Sequence, residues 1–188
     1  HTLLSKLFLH PANIESRFMP DPTIEFTNVS SLSAEAIGEP GQRTFRILAS
    51  SGTGSATIWL EKEQLLQLAL AAKQLVATIP EGQQSDEAPG RDREAPADLE
   101  LDFKVGKLVL GHDARVGRFL IDAHDVESAE DEGATVRVWG DRSQVRDFAE
   151  EALKVCAAGR PLCPLCSGPR DPEGHTCPRS NGHRPTSQ

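Results

Sequence analysis

Three cysteines near the C-terminus have the spacing of a metal site. Cys163 and Cys166 form a C-x-x-C pair, and Cys177 follows in an H-x-C motif. A tight turn after Cys163 lets both thiolates of the pair reach one ion, while nearby backbone N–H groups soften their charge. The pattern therefore predicts a zinc knuckle that contains Cys163, Cys166 and Cys177.

The fourth ligand of this predicted site is a histidine, and two histidines are within reach. His175 is two residues from Cys177, and His183 is six residues away. Three thiolates and one imidazole, at about 2.0–2.3 Å from the metal, form a common tetrahedral zinc set. A closed set of four leaves no position for water, so the predicted Zn2+ is structural. The residues alone leave both histidines open, with His175 preferred.

Free thiols without a role and a thioredoxin-like redox pair are the alternatives to a metal site. A redox pair would sit at the start of a helix after a strand, whereas prolines make the surroundings of Cys163 and Cys166 loop-like. Cys156 lies within an amphipathic helix pattern and is predicted to be a buried core thiol. This use of cysteine favours a reducing cytoplasm.

The charge of the chain is unevenly distributed. A formal net charge of −8 argues against nucleic-acid binding by the whole surface, because phosphate binding needs clustered Lys and Arg. From residue 159 to the end, however, the segment is locally basic. Contact with a polyanion and simple solvation both fit this excess. The candidate partner-binding residues of this tail are Arg160, Arg170, Arg179 and Arg184.

The remaining polar motifs do not form a recognisable catalytic site. His112 precedes Asp113 and His124 precedes Asp125, but neighbours on a strand point to opposite faces, and no nucleophile motif accompanies them. The segment Gly38–Phe45 could cradle a phosphate through backbone N–H groups, but no helix start follows it. A tight turn that enters a strand is the preferred interpretation.

The elements that position these residues form two units of similar order. Residues 23–79 contain short strands and then an amphipathic helix over Glu63–Ile79. Residues 99–158 repeat this order, with strands over Leu101–Leu110 and Arg115–Asp125 and a helix that ends near Ala158. Residues 80–98 lack any hydrophobe larger than Ala and are predicted to be a flexible linker or loop. Residues 159–188 are the zinc knuckle and basic tail.

The two units align without a gap at an offset of 80 residues. Trp59 then falls on Trp139 and Gln64 falls on Gln144, so we predict an internal repeat. Each tryptophan ends the strand that leads into a helix, and this position is usually in the core. The predicted fold class is α+β. A largely antiparallel sheet from two repeated β-rich–helix units, closed or sandwiched, is covered on one side by the two helices.

Residues 1–22 form an N-terminal extension in this prediction. Leu3, Leu4, Leu7 and Phe8 have helical spacing, which favours a short amphipathic helix docked on the body or on a partner. The opening segment is too short and wrongly flanked for a signal peptide. No apolar run approaches about 18 residues, so we predict no membrane span.

Four motifs resemble those of a known family. They are GEPGQRTF at residues 38–45, LEKEQ at 60–64, FKVG at 103–106 and the cysteine-containing tail between residues 159 and 182. Over roughly residues 24–184 the chain resembles the DUF3090 proteins of actinobacteria and Chloroflexi. The resemblance implies a cytosolic bacterial protein and no particular activity. The family pattern often has Tyr where this chain has His183, which favours His175 as the ligand.

These observations favour a non-enzymatic binding or adaptor protein. Its zinc-fixed tail is expected to dock on a protein partner, alone or as a subunit of a larger assembly. Nucleic-acid contact through the same tail is the alternative, although zinc knuckles that bind single-stranded RNA usually offer aromatic side chains for base stacking and this tail has none. An enzyme of unknown type is the third candidate.

Overall fold

Eight strands and two helices make up the described part of the chain in a computed structural model. The structure describes residues 6–9, 19–39, 41–52, 54–82, 89, 96–129, 132–159, 163–166, 170 and 176–177. The elements are β1 (Lys6–Leu9), β2 (Ile24–Phe26), β3 (Val29–Ile37), β4 (Thr44–Ser51), β5 (Gly54–Leu60), α1 (Lys62–Thr78), β6 (Leu99–Asp113), β7 (Arg118–Asp125), β8 (Val136–Gly140) and α2 (Arg142–Ala157). The helices predicted for the two units are confirmed: α1 lies within one residue of the predicted Glu63–Ile79, and α2 ends one residue before the predicted Ala158.

Seven of the strands form one hydrogen-bonded path in the order β2-β8-β7-β6-β5-β4-β3, and β1 pairs with β6 beside this path. The pairs β3–β4, β4–β5, β6–β7 and β7–β8 are antiparallel. The pairs β5–β6, β2–β8 and β1–β6 are parallel. The α+β class is confirmed, but the sheet is mixed. The parallel β5–β6 pair forms because α1 and the loop after it carry the chain back along the sheet, as a crossover must.

The long strand β6 belongs to both halves of the sheet. Its first part, Leu99–Lys104, lies beside β5, and its second part, Val105–Asp113, lies beside β7. Strands β2 and β3 also lie in different halves of the sheet. Strand β2 pairs with β8, whereas β3 pairs with β4. Only residues 27 and 28 separate these two strands. The ends of the sheet path are therefore adjacent in the chain, and the sheet curves back until its ends meet.

The inner face of the sheet and both helices enclose one hydrophobic core. Alternate residues of β4, namely Phe45, Ile47 and Ala49, point into it, as the period of a strand requires. Helix α1 supplies Leu65 and Leu68 to the same core. Cys156 of α2 is 4% exposed there, so the prediction of a buried thiol is confirmed. Neither helix in the described residues is long and apolar enough to cross a membrane.

Helix α2 also satisfies backbone groups of β3, whose neighbour in the strand path is β4 alone. Glu151 Oε2 accepts a hydrogen bond from Ala34 N at 3.2 Å, and Gln144 Nε2 donates to Val29 O at 2.7 Å. An uncovered strand edge is a template for pairing with other chains. The helix therefore blocks part of this edge.

The second half of the sheet consists of β2, β8, β7 and the second part of β6. Its outer face is buried as well. Trp139, Leu120 and Val116 form a second apolar cluster, against which Met19 packs. Trp139 is completely buried, which confirms its predicted core position. Trp59, on the outer face of the first half, is only half-buried, so the same prediction is wrong in part.

Strand β1 corrects the prediction of an N-terminal helix. Lys6–Leu9 form a strand that pairs in parallel with Lys107–Leu110. The edge of β6 offers backbone donors and acceptors that only an extended segment can use, and these outweigh the helical spacing of the apolar residues. Leu3 and Leu4 of the predicted helix lie outside the described residues.

The turn between β6 and β7 lies later than residues 111–114, which separate the two strands predicted over Leu101–Leu110 and Arg115–Asp125. β6 continues through Asp113, whose Oδ1 accepts the N–H of Arg115 at 2.9 Å and whose backbone oxygen accepts the N–H of Gly117 at 2.8 Å. Gly117 has a φ of 66°, a left-handed conformation that glycine adopts without a Cβ clash. The turn therefore forms at Gly117 and not at Gly111.

The predicted linker at residues 80–98 is described only at residues 80–82, 89 and 96–98. Pro89 is buried, and the flexible linker over residues 80–98 stays a prediction.

Candidate metal centre

The tail, residues 159–188, begins after the end of α2, and Arg43 contacts the backbone at this point. Arg43 Nη2 donates to the backbone oxygen of Ala158 at 3.3 Å. A Cβ added at Gly159 would lie 3.3 Å from Arg43 Nη1, so the absence of a side chain there lets the guanidinium lie against the backbone. The segment before β4 makes a turn, in which Gln42 N donates to Glu39 O at 2.9 Å. The preferred interpretation of Gly38–Phe45 as a tight turn is confirmed, and its arginine contacts the start of the tail.

Three cysteine sulfurs converge in the described part of the tail. The Sγ atoms of Cys163, Cys166 and Cys177 all lie within 4.8 Å of one another. The Sγ atoms of Cys163 and Cys177 are 3.8 Å apart. Two sulfurs bound to one tetrahedral zinc ion at about 2.3 Å are about 3.8 Å apart, whereas a disulfide would bring them to about 2.05 Å. The sulfurs therefore have the spacing of metal ligands, and none of the three cysteines forms a disulfide.

The turn after Cys163 favours the thiolate form of this residue. Backbone N–H groups of Cys166 and Leu165 donate to the Cys163 sulfur, and they lower its pKa from the ordinary 9.0 to about 7. Smaller contributions come from the Cys166 and Cys177 side chains, while burial opposes the shift. Zinc binds cysteine as the thiolate, so a lowered pKa reduces the cost of losing the proton. The predicted softening of charge by backbone N–H groups is thus present in the structure.

The exposure of the three cysteines differs. Cys163 is 5% exposed, whereas Cys166 and Cys177 are half-buried. Between Cys163 and Cys166, the side chain of Leu165 is 58% exposed. None of the three cysteines belongs to the main core. The turn therefore presents an apolar side chain to solvent beside the sulfur cluster.

The other predicted residues of the tail are only partly described. His175 and His183, the two candidates for the fourth ligand, lie outside the described residues, so the choice between them stays a prediction. Arg160, Arg179 and Arg184 lie outside them as well. Arg170 is described, and it is exposed.

The donor set fits zinc. Thiolate sulfur is a soft ligand that suits zinc and iron–sulfur clusters and not magnesium or calcium. Cysteines that hold an iron–sulfur cluster bind different iron atoms, so their sulfurs need not converge as closely as ligands of one ion. The separations of 3.8 Å and at most 4.8 Å fit ligands of a single ion. Three thiolates complete a closed tetrahedron when one further ligand joins them.

The two histidines that the structure describes, His112 and His124, belong neither to this centre nor to a site with each other. His112 pairs with Phe119 near the tip of the β6–β7 hairpin, and His124 pairs with Lys107 near its other end. Burial lowers the pKa of His112, and Arg142 lowers it further. Burial and then Lys107 lower the pKa of His124. Both rings therefore favour the neutral form.

Sequence reasoning missed a buried ionic network on the outer face of the second half of the sheet. Arg137 Nε and Nη2 each donate to an Asp122 oxygen at 2.7 Å, and Arg137 Nη2 also donates to Pro20 O at 3.4 Å. Trp139 Nε1 donates to Glu25 Oε1 at 2.7 Å on the same face. Charged residues that alternate with apolar ones on a strand usually face solvent. The sequence carries no sign that another segment covers this face.

Comparison with known proteins places the chain in a family. The family model described as "Protein of unknown function (DUF3090)" matches residues 24–177. No curated protein and no solved structure gives a significant match. The matched residues include the sheet from β2 onward, both helices and all three clustered cysteines. The chain therefore belongs to the DUF3090 family, as its motifs indicated.

Proposed function

We propose that Cys163, Cys166 and Cys177 hold a structural zinc ion, with His175 as the fourth ligand. The observation that carries this proposal is the convergence of three sulfurs within 4.8 Å of one another. Three thiolates and one imidazole leave no open position for water, so the metal orders the tail and performs no chemistry. His183 is the alternative fourth ligand. Free thiols in this arrangement also suit a reducing cytoplasm, where we place the protein.

The metal content and its ligands can be tested directly. Native mass spectrometry of the purified protein is expected to show one zinc per chain, and X-ray absorption at the zinc edge is expected to show three sulfur neighbours and one nitrogen neighbour. Cys166→Ser is expected to lose the metal, whereas Cys156→Ala, which alters a cysteine of the main core, is expected to keep it. Zinc retention by Cys166→Ser would contradict the proposed site.

The fourth ligand is tested with a matched pair of histidine variants. His175→Ala is expected to weaken zinc binding, because it leaves one of four positions to water. His183→Ala is expected to bind zinc as the natural chain does. The opposite result would assign the fourth position to His183.

We further propose that the zinc knuckle is a docking surface for a protein partner and that the protein is a non-enzymatic adaptor. The support is the exposure of Leu165, which lies between two of the clustered cysteines, and of Arg170, four positions after Cys166 in the chain, together with the contact of Arg43 at the start of the tail. The buried centre of a protein interface is more apolar than the rest of the surface, and arginine is enriched in interfaces. Net charge of −8 makes a nucleic-acid partner less favourable.

The docking proposal is tested with two leucines of similar exposure. Leu165 on the knuckle is 58% exposed and Leu70 on α1 is 53% exposed. In affinity capture from a lysate of the native host, followed by binding measurements with the purified partner, Leu165→Asp is expected to lose binding while it keeps its zinc. Leu70→Asp is expected to bind normally. Equal binding by both variants would contradict docking through the knuckle.

Nucleic-acid binding by the tail is tested in a separate experiment. Single-stranded RNA and DNA are added to the natural chain and to Arg170→Ala at several salt concentrations. Affinity that depends on Arg170 and falls steeply with salt would replace the protein partner with a nucleic acid. We expect no such binding.

We also propose that the two halves of the fold are copies of one unit. Each half has three strands in antiparallel succession followed by a helix. Trp59 Nε1 donates to Asp102 on the parallel neighbour of its strand, and Trp139 Nε1 donates to Glu25 on the parallel neighbour of its own. At the start of each helix, a backbone N–H donates to a glutamine three residues later, Gln64 or Gln144.

An experimental structure tests the repeat. When residues 54–78 are superimposed on residues 134–158, the two tryptophan–carboxylate hydrogen bonds are expected to coincide. Different strand directions around the two tryptophans would contradict a common origin of the halves.

A further inference from the structure

The sulfur cluster has a property beyond metal binding, since two of its members are open to small reagents. Cys166 and Cys177 are half-buried, whereas Cys163 is 5% exposed. Thiolates react with peroxides, and their susceptibility follows thiolate character and exposure. Oxidation at an exposed member of the cluster therefore produces a reactive sulfur within reach of a second thiolate.

The geometry places a second sulfur, that of Cys163, within reach of Cys177 for such a reaction. The Sγ atom of Cys163 lies 3.8 Å from that of Cys177, which is already close to van der Waals contact between the two sulfurs. A disulfide needs a separation of about 2.05 Å, so a shift of about 1.8 Å brings the pair to bonding distance. The two cysteines are 14 positions apart in the chain. Neither belongs to the main core.

We propose that a peroxide oxidises the Cys163–Cys177 pair to a disulfide, and that this oxidation removes the metal from the knuckle. The inference rests on the zinc centre proposed above and makes that centre responsive to oxidants. An oxidised knuckle is expected to lose the arrangement that presents Leu165, so docking of the partner becomes dependent on redox conditions.

The reaction balances in two steps. The Cys177 thiolate attacks one oxygen of hydrogen peroxide, the O–O bond breaks, and the products are a sulfenic acid on Cys177 and hydroxide. The Cys163 thiolate then attacks the sulfenic sulfur, the S–O bond breaks, and a second hydroxide leaves as the disulfide forms. The two cysteines lose two electrons, which the peroxide gains, and two protons from solvent convert both hydroxides to water. Two of the three sulfur ligands are no longer thiolates, so they no longer hold zinc.

The positions of basic residues make the disulfide easy to identify. Trypsin cleaves after Arg170, which separates Cys177 from the peptide that contains Cys163 and Cys166. A disulfide to Cys177 therefore joins two tryptic peptides, whereas a disulfide between Cys163 and Cys166 leaves them separate. In Cys166→Ser, a joined pair of peptides is expected to contain the Cys163–Cys177 bond, because buried Cys156 is 4% exposed and its sulfur is not in the cluster.

The experiment treats the zinc-loaded full chain with hydrogen peroxide and measures zinc release, intact mass and tryptic peptides. For the zinc-loaded natural chain we expect release of the bound zinc, a mass loss of two hydrogen atoms and joined peptides. Cys166→Ser and Cys177→Ser, which are not expected to hold zinc, are treated without it and compared by their peptides alone. We expect joined peptides in Cys166→Ser and none in Cys177→Ser. A thiol reductant with added zinc is expected to restore the metal. Circular dichroism of each variant checks that the body is folded.

The outcomes separate this inference from the metal centre itself. The zinc content before treatment is measured first, and a chain without zinc would overturn both proposals. Zinc retained after peroxide, with all thiols reduced, would overturn the oxidation while the metal centre stands. A disulfide between Cys163 and Cys166 alone would overturn the assignment of the reacting pair.

Discussion

Arg137 and Asp122 form a bidentate ion pair inside the protein, on neighbouring strands and across the outer face of the sheet. The two nitrogen–oxygen distances are 2.7 Å, and the side chains are 4% and 2% exposed. Arg137 Nη2 also donates to Pro20 O. The segment before β2, which contains Met19 and Pro20, therefore contacts this ion pair as well as the apolar cluster on the same face.

Removal of one partner of this pair is expected to be strongly destabilising. Asp122→Ala leaves the Arg137 charge in a buried site and should lower the free energy of unfolding by about 3–5 kcal/mol. Urea unfolding followed by circular dichroism measures the change. The control is Glu35→Ala, which breaks the ion pair with Arg46 at 46% and 27% side-chain exposure and should cost about 1 kcal/mol or less. Equal costs for the two variants would show that burial of the Arg137 pair has no energetic consequence.

The two tryptophans are expected to differ in their contributions to stability. Trp139→Phe removes the N–H donor from the buried Glu25 carboxylate and leaves space in a completely buried site, which should cost about 3 kcal/mol. Trp59→Phe removes an exposed hydrogen bond to Asp102 from a half-buried site and should cost about 1 kcal/mol. Thermal and urea unfolding of the two variants provide the comparison. A larger loss for Trp59→Phe would contradict the different burial of the two rings.

Acidification is expected to destabilise the fold through His112. Its pKa is lowered below the ordinary 6.5 in the folded protein, by burial first and by Arg142 next. The unfolded chain therefore binds the proton more tightly, so stability falls as the pH drops below about 6.5. The free energy of unfolding is expected to be lower at about pH 5.5 than at about pH 7.5. In His112→Gln this decrease is expected to be smaller. His124→Gln should remove a separate part of the pH dependence, because burial also lowers the pKa of His124. An unchanged pH dependence in both variants would contradict the assignment of this loss of stability to the two histidines.

Loss of the contact between α2 and β3 is expected to promote association between chains. Glu151→Ala removes the acceptor of the Ala34 N–H and should cost about 1 kcal/mol. It also leaves this strand edge more open to pairing. Light scattering during mild heating should detect earlier aggregation than in Glu150→Ala, which changes an exposed neighbour. Identical behaviour of the two variants would argue against a protective role for this carboxylate.

Chelation is expected to affect the tail and leave the body intact. The main core contains residues of the sheet and both helices but none of the three clustered cysteines. Removal of zinc should therefore speed amide hydrogen exchange near Cys163 and Cys177 by at least about tenfold, while the exchange of α1 and β4 stays unchanged. Unfolding of the whole chain by the chelator would contradict this separation.

Local elements of the fold could be predicted from the sequence because their signals are local. The apolar spacing of three and four and the following Pro80 gave α1 nearly its observed bounds of Lys62–Thr78. The C-x-x-C turn predicted the convergence of Cys163 and Cys166, and the third sulfur followed from the H-x-C motif. In these cases, neighbouring residues determine the conformation.

The pairing of distant strands could not be predicted in the same way. Nothing near Ile24 indicates that it pairs with Val136, and nothing near Lys6 indicates that it pairs with Lys107. The parallel pairs of the sheet depend on these long-range contacts, which is why the sequence did not predict where the largely antiparallel sheet contains parallel pairs. The burial of Arg137 has the same origin, because a distant segment covers it.

The sharing of strands between the two halves has a consequence for how the protein folds. Neither half can complete its own set of strand neighbours, because β5 needs the first part of β6 and β8 needs β2. When the chain is synthesised from its N-terminus, β2 therefore cannot pair until β8 has been made. Contacts so far apart in sequence slow folding. The protein is expected to fold as one cooperative unit only after β8 has been synthesised, and fragments cut between residues 80 and 98 should be stable only when they reassociate.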